Sequence, residues 1–242
     1  QSPRARTELQ FLAALPQQIV SAAKCAPQIS LNMDSLLGSW LLTKDSVRLT
    51  RNQVANMLSY TTLEKPVLDK SIYTGKELFS MIIPDNITVS KAGVEIQNSE
   101  MIQGRLGSQT MGEMKTNSLV HAVWNQHGAF TCRDFLNDSM EITNRFIMIR
   151  GMTVGIRDIL TKDHVKDLVI SMIQSKHLEV ASVFNQVESG ASLYDIEGAE
   201  NIAFQKLSSV LGNIGAIVGN NMDDSNNVFA MGKGLGAGSK GS

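Results

Sequence analysis

The sequence predicts an α+β fold that is mostly helical, with a small antiparallel sheet followed by a long helical hairpin. Three observations carry this. Ile87-Thr-Val-Ser and Val94-Glu-Ile-Gln alternate apolar and polar residues, the period of half-buried strands, around a turn-like Lys91-Ala-Gly. Beyond residue 160, two long stretches repeat apolar residues at helical spacing, joined by Ser189-Gly190-Ala-Ser192. At 242 residues, 43% of them hydrophobic, the chain can form one large domain or two small ones with real cores.

From the start, residues 4–14 read as a short helix with Leu9, Leu12 and Ala13 on one side. Pro16 ends it, because proline has no N–H and disfavours helix in the residue before it. An irregular polar stretch runs to about Asn32. Asp34 is placed as the N-cap of a helix over 34–43 carrying Leu36, Leu37 and Trp40. Val47-Arg-Leu is a short extended piece, and a helix begins near Thr50 with Val54, Met57 and Leu58 as its stripe. Lys65-Pro66 marks a loop. Gly75 to Ile83 is a short helix stopped by Pro84. Asn98-Ser99 is a second turn, and Met101 to Leu106 a third strand.

Ser118 to Asn125 and Ala129 to Arg150 are helices parted at Gly128, and Gly151 offers a left-handed cap. Met152 to Leu160 is a connector. Val165, Leu168, Val169, Met172, Ile173, Val180, Val183 and Val187 form the apolar face of the first hairpin helix. Ala199, Ile202, Ala203, Leu207, Val210, Leu211, Ile214 and Val218 form that of the second, which Ser192 and Asp195 open like a capping box. Asp223-Asp-Ser-Asn-Asn is a polar loop, and residues 232–242 are glycine-rich.

Composition narrows the function. The net charge of −1 gives no general affinity for nucleic acid or acidic membrane, so any such role is local or shared with partners. No segment reads as the roughly 20 apolar residues a bilayer span needs, which predicts no membrane partner. Cys25 and Cys132 stand apart and read as reduced, partly buried thiols. The four histidines show no zinc-like spacing with them, and His121 sits in an apolar stretch as a core histidine. The 12 methionines fall mostly at core-like positions. Gln1-Ser-Pro-Arg-Ala-Arg leads into no signal-type apolar core. Both ends read as cut from a longer chain.

No catalytic set declares itself by spacing. Asp223-Asp224 reads as a solvated turn. The end, Gly232-Lys-Gly-Leu-Gly-Ala-Gly-Ser-Lys-Gly-Ser, could bring backbone N–H groups and a lysine to a phosphate. A P-loop needs Gly-Lys followed by Ser or Thr and a helix; Gly232-Lys233 is followed by Gly234. A flexible linker and a surface lysine are the plainer readings of this tail.

Five stretches, in order along nearly the whole chain, change that balance. They are Gln1-Ser-x-x-x-Arg6-x-Glu8-Leu9 with Pro16-x-Gln18-Ile-Val-Ser; Ser118-Leu-Val-His121 with Gly128; Gly151-x-x-x-Gly155-Ile-x-Asp158; Gly190-x-Ser-Leu193 within the hairpin; and Gly238-Ser-Lys240-Gly-Ser242. Together they resemble the largest subunit of multisubunit DNA-directed RNA polymerases. The resemblance implies an internal fragment: residues 1–20 end the active-site region, 21–158 form the pore domain, and 159–242 form the funnel with its glycine-rich loop. It implies that the parent is a nucleotidyltransferase using Mg²⁺, with the metal ligands outside this chain and the fragment inactive alone. Lys240 would face the triphosphate of the incoming nucleotide, where positioning and charge neutralisation do most of the work of phosphoryl transfer.

The implied partners are other polymerase subunits, DNA template, RNA, nucleotide triphosphates and a transcript-cleavage factor in the funnel. The implied location is intracellular: nucleus or cytoplasm, or the factory or virion of a large DNA virus. Two departures mark divergence. Ser108 and Gln109 stand where the family often has adjacent basic residues, and Arg157 replaces a glycine in the funnel's opening motif. Two other readings remain at this point: a stand-alone helical scaffold or adaptor, and a nucleotide-binding enzyme using the glycine-rich tail.

Overall fold

The computed structural model describes residues 2–63, 67–189, 196–223 and 225–235. The Lys65-Pro66 loop, the Ser192–Asp195 cap and the last seven residues, Lys240 among them, lie outside the described residues. The chain divides into two compact units, residues 1–153 with 230–242, and residues 154–229.

The first unit opens with α1 (Pro3–Phe11), capped by the Ser2 hydroxyl accepting the Ala5 N–H at 3.2 Å, with proline at its first position. No residue of α1 is buried, and Leu9 and Leu12 are exposed. The stretch expected to be irregular contains a 3-10 turn (Leu15–Gln18) and a two-residue pairing of β1 (Val20–Ser21) with β2 (Ala26–Pro27).

Helix α2 (Met33–Leu42) starts after Asn32, which corrects the placement of Asp34 as the cap; Asp34 lies in the first turn. α2 lies against α6 (Leu119–Arg150) at Gly38, where a Cβ would come within 2.8 Å of the Thr143 carbonyl oxygen. Only glycine permits that approach. Two strand-to-helix junctions follow the same design. β3 (Arg48–Thr50) runs into α3 (Arg51–Leu58), and β4 (Ile72–Thr74) into α4 (Gly75–Ser80). Each helix begins with a capping box, Thr50 with Gln53 and Thr74 with Glu77. The strands pair antiparallel with Arg48 opposite Thr74 and Thr50 opposite Ile72, so the two helices leave from opposite ends of the short ladder. Glu77 also receives the Lys70 ammonium at 2.6 Å.

The expected sheet is present as β5 (Val89–Lys91), β6 (Val94–Gln97) and β7 (Glu100–Gln103), all antiparallel. Both hairpin turns use left-handed backbone: Ala92 and Gly93 at φ 51° and 77°, then Asn98 and Ser99 at 46° and 68°. Such turns match the right-handed twist of the strands. The third strand stops at Gln103, short of the expected Leu106. Leu106 is instead drawn onto α2, its N–H donating to Thr43 Oγ1 and its carbonyl receiving Ser39 Oγ, each at 3.0 Å.

The expected break at Gly128 is a kink inside α6, with φ 81°, and Gly151 ends the helix at φ 67°. Leu42, Val54, Phe79, Ile96, Leu119 and Ile142 are all fully buried in one core. Each such burial stabilises the fold by roughly 1.5–3 kcal/mol before entropy is counted. Asp138, nearly buried on α6, accepts both the N–H and the hydroxyl of Thr62, at 2.9 and 2.7 Å.

The methionines divide. Met57, Met101 and Met111 are buried, but Met33, Met140, Met148 and Met231 are exposed, so core filling describes only some of them. Cys132 is buried, and its thiol is pushed up to about 12 by that burial. Cys25 corrects the expected partial burial, being exposed in the turn between β1 and β2.

The second unit contains α7 (Ile156–Ile159), α8 (Asp163–Glu188) and α9 (Ile196–Asn220), and α10 (Asn227–Leu235) begins in it. α8 and α9 pack along each other as the hairpin the sequence predicts. Their seam is narrower than the apolar stripes. Val165, Ala199 and Ala203 are buried, and Val169, Met172, Val210 and Ile214 half-buried, while Leu168, Leu207 and Leu211 are exposed. A seam between two helices covers one line of residues, not a wide face. Lys206 is half-buried on α9 and reaches Glu179 of α8 at 3.6 Å.

α9 also corrects the expectation about bilayer spans. It is long and apolar enough to cross one by length and composition, with an 18-residue window of mean hydropathy 1.2. Serine, glycine and alanine, not charged residues, fill much of its outer surface.

Candidate functional site

Chemistry-bearing side chains gather in two places, one in each unit. The first lies at the base of the hairpin. Gly155 precedes α7, and its N–H donates to Asp158 Oδ2 at 2.9 Å. Asp158 Oδ1 accepts the Asn227 N–H at 3.2 Å, and the Asp158 carbonyl accepts the Asn226 side-chain amide at 2.9 Å. Asn226 in turn caps α10, its Oδ1 accepting the N–H groups of Val228 and Phe229 at 2.8 and 3.2 Å. The Gly155 and Asn227 N–H bonds hold the Asp158 carboxyl below its usual range. Beside this knot Lys162 and Asp223 form an ion pair at 2.7 Å. A cavity of about 260 Å³ opens here, lined by Asp158, Leu160, Lys162, Val165, Val218 and Asn226 among others.

The second place is around Trp40 on α2. Gly234, near the end of α10, lies so close that a Cβ would come within 3.1 Å of the Trp40 Cβ. The Arg105 guanidinium stands over the same indole at 5.3 Å. Leu235, the last described residue, is five positions before Lys240 in sequence.

Several expectations meet these facts. Asp158, carried over from the funnel's opening motif, is in place as the hub of the knot. Arg157 lies in α7 and is not among the left-handed residues, so the replacement of glycine there requires no strained backbone. Asp223 is not merely a solvated acid, since it pairs with Lys162; Asp224 lies outside the described residues. Ser108 and Gln109 form the first turn of the four-residue helix α5 (Ser108–Met111). His121 is half-buried, and its Nδ1 accepts the Asn117 N–H at 3.1 Å. The sequence reading did not single out Asn226, Asn227, Arg105 or Trp40 as a site. An asparagine ahead of Val228-Phe-Ala was the available sign of a helix start.

No three His, Cys, Asp or Glu side chains converge into a metal site among the described residues. They therefore do not fit a resident Mg²⁺. The recorded imidazole hydrogen bonds among them go to backbone groups, His121 to the Asn117 N–H and His127 to the Asp85 carbonyl. What the geometry defines is architectural: in one unit a packed helix-and-sheet body, in the other a helical hairpin with a fastened chain reversal at its base.

Comparison with known proteins gives that element its family. The family model described as RNA polymerase Rpb1, domain 3 matches residues 18–159, more than half of the chain. The chain belongs to this family. It is 25% identical over 240 residues to DNA-directed RNA polymerase subunit 1 of Acanthamoeba polyphaga mimivirus, covering 95% of this chain and 16% of that protein. It is 25% identical over 249 residues to subunit Rpo1N of Halobacterium salinarum, covering 96% of this chain and 25% of that protein. Over 174 residues it is 29% identical to RNA polymerase II subunit RPB1-B of Trypanosoma brucei brucei, covering 65% and 10% respectively. The chain thus spans a quarter or less of these relatives' lengths. Nothing favours the adaptor reading.

Proposed function

We propose that this chain works as the pore and funnel part of a DNA-directed RNA polymerase largest subunit. Residues 1–20 end the active-site region, 21–158 line the pore, and 159–242 form the funnel and the glycine-rich loop. The parent enzyme joins ribonucleotides on a DNA template with Mg²⁺ held by residues outside this chain. Its partners are sister subunits, template DNA, RNA and nucleotide triphosphates. A transcript-cleavage factor uses the funnel, and the enzyme works inside the cell, in the nucleus, the cytoplasm or a viral factory or virion.

The observation that carries this reading is the family match over residues 18–159 followed directly by a two-helix arm. Lys240 contributes a positive charge to the triphosphate of the incoming nucleotide. Its small neighbours, Ser239 and Gly241, leave a phosphate unobstructed access. The test is Lys240→Ala in the assembled enzyme. The KM for nucleotides is expected to rise several-fold, with subunit assembly unchanged. Unchanged elongation at limiting nucleotide would remove Lys240 from the mechanism. The isolated chain is expected to make no RNA.

A further inference from the structure

Besides the two places described, polar side chains line an open groove of about 310 Å³ in the first unit, between the small sheet and the start of α6. Thr88 and Ser90 line it from the sheet, and Asn117, His121, Asn125 and Gln126 from the helix and the loop before it. Among the described residues, no carboxylate and no phenylalanine, tyrosine or tryptophan lines it. His121 Nδ1 accepts the Asn117 N–H at 3.1 Å. The ring proton is thus left on Nε2, a donor with no acceptor among the described residues.

Two half-buried lysines adjoin this groove. Lys91 follows Ser90, and its ammonium donates to the carbonyl of Thr116, the residue before Asn117. Burial first, and the charge of Lys115 next, hold the Lys91 ammonium below its usual range. Among the described residues, no carboxylate pairs with either lysine. Glu95, opposite Ser90 in register, accepts the side-chain amides of Gln97 and Gln103, one on each oxygen. Glu113 is exposed and forms no ion pair with Lys115. Two like charges held together, partly out of water, are costly until an anion joins them. The loop carrying Lys115 is also fixed in place. The Met114 N–H donates to the Pro27 carbonyl at 2.8 Å, and Met114 and Asn117 hold left-handed backbone at φ 55° and 52°. A methionine takes that backbone only at a cost, and such costs gather at binding sites.

We propose that Lys91 and Lys115, with the groove beside them, bind the phosphodiester backbone of a single nucleic-acid strand without reading its bases. The two ammonium groups neutralise neighbouring phosphates, and His121 Nε2 and the amides and hydroxyls of the groove donate to phosphate oxygens. Three observations select this occupant. A protein partner is held by apolar and aromatic anchors, and the only apolar members of this lining are Val89 and Ala122. A nucleotide triphosphate concentrates more charge on one group than two lysines balance, whereas a strand spreads it one phosphate at a time. The chain's net charge of −1 leaves nucleic-acid contact to a local cluster such as this. Bases have no large aromatic face to stack on, so binding is weak and tolerant of sequence. The site lies wholly in the first unit and stands or falls apart from the function proposed above.

The test is the fluorescence anisotropy of a labelled oligouridine strand titrated with the 242-residue chain, whose first unit has its own buried core. Lys115→Ala is expected to weaken binding several-fold. It should also lower the slope of log affinity against log salt by about 0.7, the share of one phosphate contact on a single strand. Lys91→Ala with Lys115→Ala should lower the slope by about 1.4. Lys91→Ala also removes the bond to Thr116, so Lys115→Ala, which breaks no bond among the described residues, separates lost charge from a loosened loop. Lys166→Ala, in the other unit and paired with Asp163, should change neither affinity nor slope. Inorganic tripolyphosphate and an oligoglutamate peptide should each displace the strand only at higher concentration, compared charge for charge. No binding at low salt, an unchanged slope in Lys115→Ala, or equal weakening by Lys166→Ala would overturn the proposal. Displacement by tripolyphosphate or by the peptide at lower concentration than by unlabelled strand would also overturn it, in favour of a compact phosphate or an acidic protein segment.

Discussion

The body around α2 and α6 buries leucine, phenylalanine and methionine side chains to near-zero exposure, whereas the hairpin of α8 and α9 buries only Val165, Ala199 and Ala203. The body is tied by long-range bonds as well, such as Thr62 to Asp138 and Leu106 to Thr43. The hairpin is tied across its seam by the Lys206–Glu179 pair, and exposed pairs of that kind contribute little. The body thus carries its stability in its own core. The arm has two long helices with little to hold them, and leaves Leu178, Phe204 and Leu211 on its surface. Helices gain most of their stability from packing an apolar face, not from propensity.

This contrast can be broken by substitution. The largest effect is expected in the body. Phe79 is fully buried and meets Phe135 edge-on at 6.3 Å between ring centres. Phe79→Ala should destabilise the chain by about 3–5 kcal/mol, read from the denaturant midpoint. A smaller and more local effect is expected in the arm. Val169→Asp places a carboxylate on the half-buried side of α8. It should cost about 1–3 kcal/mol and remove the hairpin's share of helical circular dichroism, leaving the body's transition in place. A single shared transition that shifts as a whole would show that the two units do not melt separately.

The smallest effect concerns pH. Glu77 is held down to about 2 by the Lys70 ammonium first and the Thr74 N–H next. A carboxyl lowered in the folded state adds stability that is present above its ordinary value of 4.5 and is lost as pH falls toward about 2. Because Lys70 and Glu77 are both well exposed, the contribution is below about 1 kcal/mol. Glu77→Gln should reduce the loss of stability of the body between about pH 5 and about pH 2.5, measured by urea unfolding. An unaltered pH profile would remove Glu77 from the stability of the α4 start.

The same contrast explains what could be read from the sequence. Signals that depend on neighbours along the chain came through. The Thr50 helix start, the alternation in β5 and β6, the kink at Gly128 and the cap at Gly151 are local events. Pairings between distant short segments did not. β3 and β4 have three residues each and find each other across the whole of α3, with nothing in either segment to announce it. The hairpin's helical period was legible, but which apolar residues meet was not. The sequence shows the full stripe, and the packing partners present decide how much of it is covered; Leu168, Leu207 and Leu211 belong to the stripe yet stay exposed. At the candidate site, Asp158 was legible as part of a motif. Its partners Asn226 and Asn227 were not, because the reversal that joins them is made by the intervening hairpin. Lys240 lies outside the described residues and rests on its motif alone.

Hydrogen–deuterium exchange offers the most direct check that the first unit is self-supporting and the hairpin is not. Peptides from the isolated chain would be compared with the same peptides in the assembled polymerase. Amides of α2, α4 and α6 are expected to be protected in both, and those of α8 and α9 only in the assembly. Equal protection of α8 and α9 in the isolated chain would contradict it.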